Sequence, residues 1–390
     1  MKLAVITGID KPATLESKGG IEVWTASFCL EEAARNRNID LYGVHGSIAA
    51  EHINLIEVLD KPLPDFYTEE YFTDKPEEFV KRKEQFMSTI FTKTLIDIEG
   101  QQESYDIIID SCSYPSFSFN TRFLKKPVLI IGHFPVDFAA KFYINTFGLP
   151  KNNYFVFLSQ FQLKRADFIP ENQKTVIANG INVRDFTFYP QGGDHIAWNS
   201  RVHIRTNKGL EQAMRVANEM KLPLKATGYI EKSSEKYFND TIIPLESKYA
   251  QFNRQQLTDN VDKNEIFGSP KVFLFPLLWE EPFGLVLIES MSCGTPVIAF
   301  ARGAVPEIIK DGVTGFIVNS SNHDMRGDWI IKKTGIEGLC EAVEKIYNMP
   351  LAEYLQMRRN CRKHVEENFT IERMVDEYEK VYSQILNEAK

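Results

Sequence analysis

"WEEPFGLVLIESMSCGTP", residues 279–296, sets two carboxylates, a proline and a glycine directly before an apolar run and places a third carboxylate inside that run. The segment just ahead of it, "VFLFPL" (272–277), is short and apolar, as suits a strand buried on both faces. A loop then leads into a helix predicted to begin near Leu285 and to stop at "CGTP". A helix N-terminus presents unpaired N–H groups and partial positive charge, and Gly284 lets the backbone come close to a ligand, so this junction reads as an anion site. Glu281 lies on the loop at its mouth and Glu289 about two turns into the helix. A phosphate on the amides of Phe283, Gly284 and Leu285 would leave Glu281 facing the group beyond the phosphates. Glu289 would then reach a hydroxyl pair on the nucleoside side, a spacing that suits a nucleotide sugar. In the structural alternative, Glu280 and Glu281 merely favour a helix start and Glu289 makes a buried hydrogen bond.

Outward from this stretch, short runs rich in β-branched residues alternate with helical segments, the pattern of parallel sheets covered on both faces. In the first half these are "LAVITGI" (3–9), "IDLYGVHG" (39–46), "YDIIIDS" (105–111), "PVLIIGH" (127–133) and "YFVFLS" (154–159). A second series holds "PLKATGY" (223–229), "VFLFPL", "PVIAF" (296–300) and "GFIV" (315–318). The Gly- and Pro-containing stretch between them places a domain boundary near residue 187. Residues 370–390 carry Met374, Val375, Tyr378, Val381, Tyr382 and Ile385 at helical spacing, so a C-terminal helix must bury one stripe.

The chain has 390 residues, enough for two domains, with 43% apolar and 25% charged residues. A net charge of −8 argues against nucleic acid as a partner. "VKRKEQF" (80–86) and "FLKKP" (123–127) read as solvated faces, although a peripheral membrane contact stays compatible with the sequence. Five scattered cysteines and a strand-like "MKLAVITGI" start fit a reduced, cytoplasmic setting without a secretory signal. The histidines form no metal-ligand cluster, and D-x-D is absent, so no metal and no other cofactor is expected. Neither a phosphate-binding G-x-x-x-x-G-K-[ST], a G-x-G-x-x-G after the first strand, nor a G-x-S-x-G is present, which weakens NTPase, dehydrogenase and hydrolase readings.

Residues 272–318 resemble the donor-binding signature of retaining glycosyltransferases of family 4: acid, seven residues, acid as Glu281 to Glu289, with "EPFG", "GTPVIA" and E-x-x-x-DG-x-TG around it. The likeness extends more loosely through "GGIE", "GHF", "FLSQFQ" and "NGIN". It implies an α/β GT-B fold, two Rossmann-like doubly wound domains facing a central cleft, with a C-terminal helix crossing back to the N-terminal domain. Residues 1–187, with the 370–390 helix, would form the acceptor-side domain and 188–369 the nucleotide-sugar donor domain. By resemblance, Glu281 approaches the donor sugar, Glu289 holds the ribose, and Pro282, Phe283, Gly284 and Leu285 line the diphosphate. Arg201, or its rival Arg205, and Lys208 neutralise it. Gly19 and Gly20 bring backbone N–H groups to the phosphates, and His133 meets the transferred sugar, with Asp137 and Lys141 toward the acceptor. The implied activity is metal-independent, retaining transfer of a hexose-type sugar from a nucleotide diphosphate sugar, taken as a UDP sugar, to a carbohydrate, lipid-linked or small-molecule acceptor. A nucleotide-sugar epimerase of the same architecture and a noncatalytic nucleotide-sugar-binding subunit are the alternatives.

Overall fold

The computed structural model describes residues 1–17, 19–66, 76–112, 114, 118, 120–134, 138–254 and 260–388. Its contacts divide the chain into two compact units, Met1–Ala178 with Ile371–Lys390, and Asn179–Thr370. This division falls between residues 178 and 179, at the start of the Gly- and Pro-containing stretch 176–195 in which the sequence places the boundary. Residues 179–187 bond into the second unit: the Ile181 N–H donates to Phe369 O at 2.9 Å, the Thr187 N–H to Asn264 Oδ1 at 2.6 Å, and Arg362 Nη1 to Phe186 O at 2.7 Å. Asp137 lies outside the described residues.

In the first unit the described strands form a parallel sheet in the order β3-β2-β1-β4-β5-β6-β7. These are β1 (Lys2–Ile6), β2 (Asn38–Val44), β3 (Ile53–Leu59), β4 (Ile107–Asp110), β5 (Val128–Ile131), β6 (Asn153–Phe157) and β7 (Lys174–Val176). Leu3, Val5, Ile108, Val128 and Val156 are fully buried, as both-face coverage by helices requires. The chain order reverses between β1 and β4, which are neighbours with Leu3 opposite Ile107.

The C-terminal helix Ile371–Glu388 belongs to this unit because its predicted stripe finds a partner in the helix Gly20–Ala34. Tyr378 packs edge-on against Phe28 at 5.2 Å, and Trp24 stacks on Phe28 at 4.9 Å. Tyr382 Oη donates to the buried Glu32 Oε1 at 2.9 Å. Burial pushes the Glu32 carboxyl up to about 7, reinforced by Glu379 and opposed by the Tyr382 hydrogen bond, Arg37 and Arg35. The folded chain therefore holds this proton more tightly than the unfolded chain does. The associated stability is complete below the ordinary carboxyl range and is lost as pH rises through 7, on the order of 3 kcal/mol. Glu32→Gln keeps an acceptor for Tyr382 and is expected to flatten the decline of melting temperature between about pH 5 and 8. Parallel melting profiles for wild type and variant would remove Glu32 as the cause.

In the second unit the described strands run β10-β9-β8-β11-β12-β13, all parallel. They are β8 (Ile196–Asn199), β9 (Leu224–Thr227), β10 (Ala250–Asn253), β11 (Val272–Phe275), β12 (Val297–Phe300) and β13 (Gly315–Val318). Here the order reverses between β8 and β11, paired as Val272 with Ile196. In open α/β sheets this reversal opens a crevice beyond the strand ends, where ligands bind. The loops leaving β8 and β11 are the ones carrying Arg201 to Lys208 and Glu280 to Gly284.

Candidate functional site

The quoted stretch folds as expected locally. Strand β11 ends at Phe275, a loop follows, and the helix Leu285–Ser292 begins after Gly284, whose φ of 104° is a conformation that favours glycine. No side chain caps this helix, and the N–H groups of Phe283, Gly284 and Leu285 have no acceptor among the described residues. Three donors at the positive end of a helix are thus open to an anion.

The two adjacent acids face different partners. Glu281 pairs with Lys208 Nζ, and both side chains are largely buried. Lys208 also lies 5.6 Å from the centre of the Trp279 ring, and its carbonyl accepts from Trp198 Nε1 at 3.0 Å. Gly209 fixes the end of that loop: its φ is 82°, and a Cβ there would meet Pro276 O at 2.1 Å. The Leu278 N–H donates to Asn207 O at 2.9 Å, so the loops after β8 and β11 are fastened together and the cation is held against the acid.

Glu280 instead turns to Arg326, whose Nη1 and Nη2 meet its two oxygens at 2.8 and 2.6 Å, and to Arg302 Nη1 at 3.1 Å. The Gly303 N–H adds a bond at 2.8 Å. Burial pushes the Glu280 carboxyl up, but the Arg326, Gly303 and Arg302 interactions outweigh it and hold it below the ordinary carboxylate range. Asp324 completes the cluster, bonded to Arg302 Nη2 at 2.6 Å and Arg326 Nε at 2.8 Å. These residues follow β12 and β13, the next strands across the sheet, so neighbouring loops buttress the loop that carries Glu281.

The turn at residues 302–304 follows β12 and leads into the short helix Val305–Ile308. Its N–H groups are used internally: Gly303 bonds Glu280, and Ala304 donates to Glu281 O at 2.9 Å. Gly303 has φ 54° and a Cβ there would lie 2.1 Å from Glu281 O, so the close approach of the two loops demands glycine. This turn shapes the Glu281 loop.

Glu289 lies eight residues after Glu281 and is 9% exposed. Burial raises its carboxyl above the ordinary value, and Lys263 Nζ, 3.9 Å away, opposes that. Arg201 does not join Lys208: its Nη1 lies 3.3 Å from Glu231 with the side chain 42% exposed. Arg205 is exposed as well. Between them His203 Nδ1 accepts the Thr206 N–H at 3.1 Å, which folds the loop back toward Lys208. Sequence reasoning missed Arg302, Asp324, Arg326 and Lys263. The signal available for the first three was a basic or acidic residue shortly after each strand that follows β11.

In the first unit, His133 lies just beyond β5, its ring edge-on to Trp24 at 4.8 Å. Its Nε2 is buried without a hydrogen-bond partner among the described residues, and burial lowers its pKa to about 3. The imidazole is therefore neutral at physiological pH. Gly19 caps the helix Gly20–Ala34, but a Gly19 Cβ would fall 1.8 Å from Glu22 Oε2, so the Glu22 carboxylate folds over this helix start.

Solved structures share this architecture over its length. Sucrose-phosphate synthase from Thermosynechococcus elongatus matches with a TM-score of 0.76 at 18% identity, covering 99% of each chain. Anabaena HepE, solved in complex with UDP-glucose, matches with a TM-score of 0.68 at 15% identity over 98% of this chain and 100% of that one. The fold is GT-B, two Rossmann-like domains in one chain. Residues 203–364 match the family model for glycosyl transferases group 1, a span that includes Lys208, Glu281, Gly284 and Glu289. N-acetyl-alpha-D-glucosaminyl L-malate synthase of Bacillus anthracis is 33% identical over 111 residues, 28% of this chain and 26% of that protein. The D-inositol 3-phosphate glycosyltransferase of Mycobacterium sp. (strain KMS) is 51% identical over 51 residues, 13% of this chain and 11% of that protein. The matched stretches thus span about a quarter or less of these curated relatives.

Proposed function

We propose that the chain is a retaining glycosyltransferase of family 4 that moves a hexose-type sugar from a nucleoside diphosphate donor, taken as a UDP sugar, to an acceptor hydroxyl. One observation carries the reading: an uncapped helix N-terminus at Gly284 beside a Lys208–Glu281 pair at the switch point of the sheet. The HepE structure with UDP-glucose supports the choice of donor.

In this mechanism the amides of Phe283, Gly284 and Leu285 grip the diphosphate, Pro282 shapes the turn ahead of them, and Lys208 carries charge that develops on the leaving phosphate. Arg201 or Arg205 adds to that field. Glu281 orients the sugar hydroxyls once the donor draws Lys208 away, and Glu289 takes the ribose hydroxyls. The acceptor hydroxyl attacks from the face the phosphate leaves, and that phosphate takes its proton. No residue pair with the two-carboxylate arrangement of glycosidases is required.

The test is an assay of UDP, GDP and ADP sugars with the full chain and an acceptor panel, in excess EDTA, with product stereochemistry read by NMR. The proposal expects nucleoside diphosphate release, an unaltered anomeric configuration and no demand for a metal. An inverted product, a donor sugar changed without acceptor, or activity restored only by a divalent ion would each contradict the corresponding part.

A further inference from the structure

We propose that Arg326 is a positioning residue for sugar transfer: it grips Glu280 and thereby sets the stretch of backbone from which Glu281 reaches the donor. The inference rests on the transferase reading above and adds to it the device that keeps two adjacent acids in separate roles.

Glu280 is fully committed to protein donors. Its Oε1 accepts from Arg326 Nη2 at 2.6 Å and Arg302 Nη1 at 3.1 Å, and its Oε2 accepts from Arg326 Nη1 at 2.8 Å and the Gly303 N–H at 2.8 Å. A carboxylate has about four lone-pair sites, so this acid is an anchor rather than a second sugar ligand. The two-point contact with Arg326 fixes the plane of the carboxylate as well as its position, which a single ammonium group could not do. The next residue is pinned to the same turn, because the Ala304 N–H donates to Glu281 O at 2.9 Å. With the side chain of residue 280 and the carbonyl of residue 281 both held, the Glu281 side chain is left to pair with Lys208.

Arg326 is itself fixed from the end of β13. Asn319, 2% exposed, accepts the Arg326 N–H through Oδ1 at 2.8 Å and donates from Nδ2 to Gly327 O at 2.9 Å. Asp324 accepts from Arg326 Nε at 2.8 Å and from Ser320 Oγ at 2.8 Å, and it pairs with Arg302 Nη2 at 2.6 Å. A continuous set of bonds therefore runs from β13, past the turn after β12, to the loop after β11. The side chains of Glu280, Arg302, Asp324 and Arg326 are 20–28% exposed. A lone ion pair so placed would contribute little, whereas a bidentate pair within a network holds geometry. Among the described residues its hydrogen bonds reach neither the Gly284 amides nor the loop that carries Lys208. Loss of Arg326 should therefore disturb the orientation of Glu281 and spare the grip on phosphate.

The test is to measure kcat, donor KM, melting temperature and calorimetric affinity for UDP, GDP and ADP with the full chain and its variants. Arg326→Met is expected to lower kcat about 30-fold while affinity for the bare nucleoside diphosphate stays within about twofold of wild type. Arg326→Lys restores the charge without the fork and should recover only part of that loss. Glu280→Gln should also slow turnover, and the Glu280→Gln, Arg326→Met double variant should be no slower than the slower single, since both changes break one link. A wild-type kcat in Arg326→Met, or a loss confined to temperatures near its melting point, would overturn the positioning role. Equal losses in turnover and diphosphate affinity would make Arg326 a ligand contact, and full recovery in Arg326→Lys would reduce it to a charge; either result overturns the proposal. An active wild type with unaltered variants sinks this inference alone, whereas no transfer from any donor by the wild type sinks the proposed function and this inference with it.

Discussion

Glu281→Gln is expected to lower kcat by about 100-fold or more while the chain still folds. The neutral amide can still hydrogen-bond a sugar hydroxyl, but it no longer accepts from two directions with full charge, so orientation of the reacting centre is lost. The structural cost should be about 1 kcal/mol, because the partner Lys208 keeps its contact with the Trp279 ring and part of its solvent access. The same change has an opposite expected sign in binding. With Glu281 neutral, Lys208 is no longer held by a carboxylate, so affinity for the bare nucleoside diphosphate should hold or rise while turnover falls. Equal losses in diphosphate affinity and turnover, or a normal rate, would contradict this division of labour.

Lys208→Met should be the more damaging substitution, with kcat/KM reduced by about 1,000-fold. It removes the cation nearest the proposed diphosphate position and leaves the Glu281 carboxylate uncompensated beside it, so repulsion adds to the lost attraction. Donor affinity should fall here, unlike in Glu281→Gln. Because the two groups contact each other, their effects should not add: the double variant is expected to bind diphosphate better than Lys208→Met alone. Simple additivity in titrations of all four proteins would mean that the pair does not act as a unit at the ligand.

Much of the fold was legible because its central strands are continuous apolar runs. "VFLFPL" and "PVLIIGH" contain β11 and β5, buried on both faces, and no other element type fits so short a run between helices. The strands absent from the sequence reading are mostly edges. β3 alternates apolar residues with Asn54 and Glu57, β7 spans three residues, and β10 is "AQFN". Edge strands have one neighbour and a wetter face, so burial does not purge them of polar side chains. β8 is different: it is central, but only four residues long and preceded by a Gly-containing stretch that reads as a linker.

The candidate site divides in the same way. Gly284, Glu281 and Glu289 could be placed because one strand, one loop and one helix carry them within a short span of chain. The distinct fates of Glu280 and Glu281 could not, since their partners come from loops after other strands: Lys208 before, Arg302 and Arg326 after. Adjacent identical side chains acquire different roles only when the sheet order sets those loops side by side. The Arg201 expectation rested on the resemblance, and a likeness along a loop does not determine that Glu231 lies 3.3 Å from the guanidinium.

The central claim is that the helix N-terminus at Gly284 and the adjoining Lys208 hold a nucleoside diphosphate sugar. Calorimetric titration of UDP, GDP and ADP sugars into the full chain and into Lys208→Met tests it most directly. The account predicts that one donor binds the wild type and that the variant binds the same donor about 100-fold more weakly. Indistinguishable dissociation constants for the two proteins, or no heat from any donor with the wild type, would contradict it.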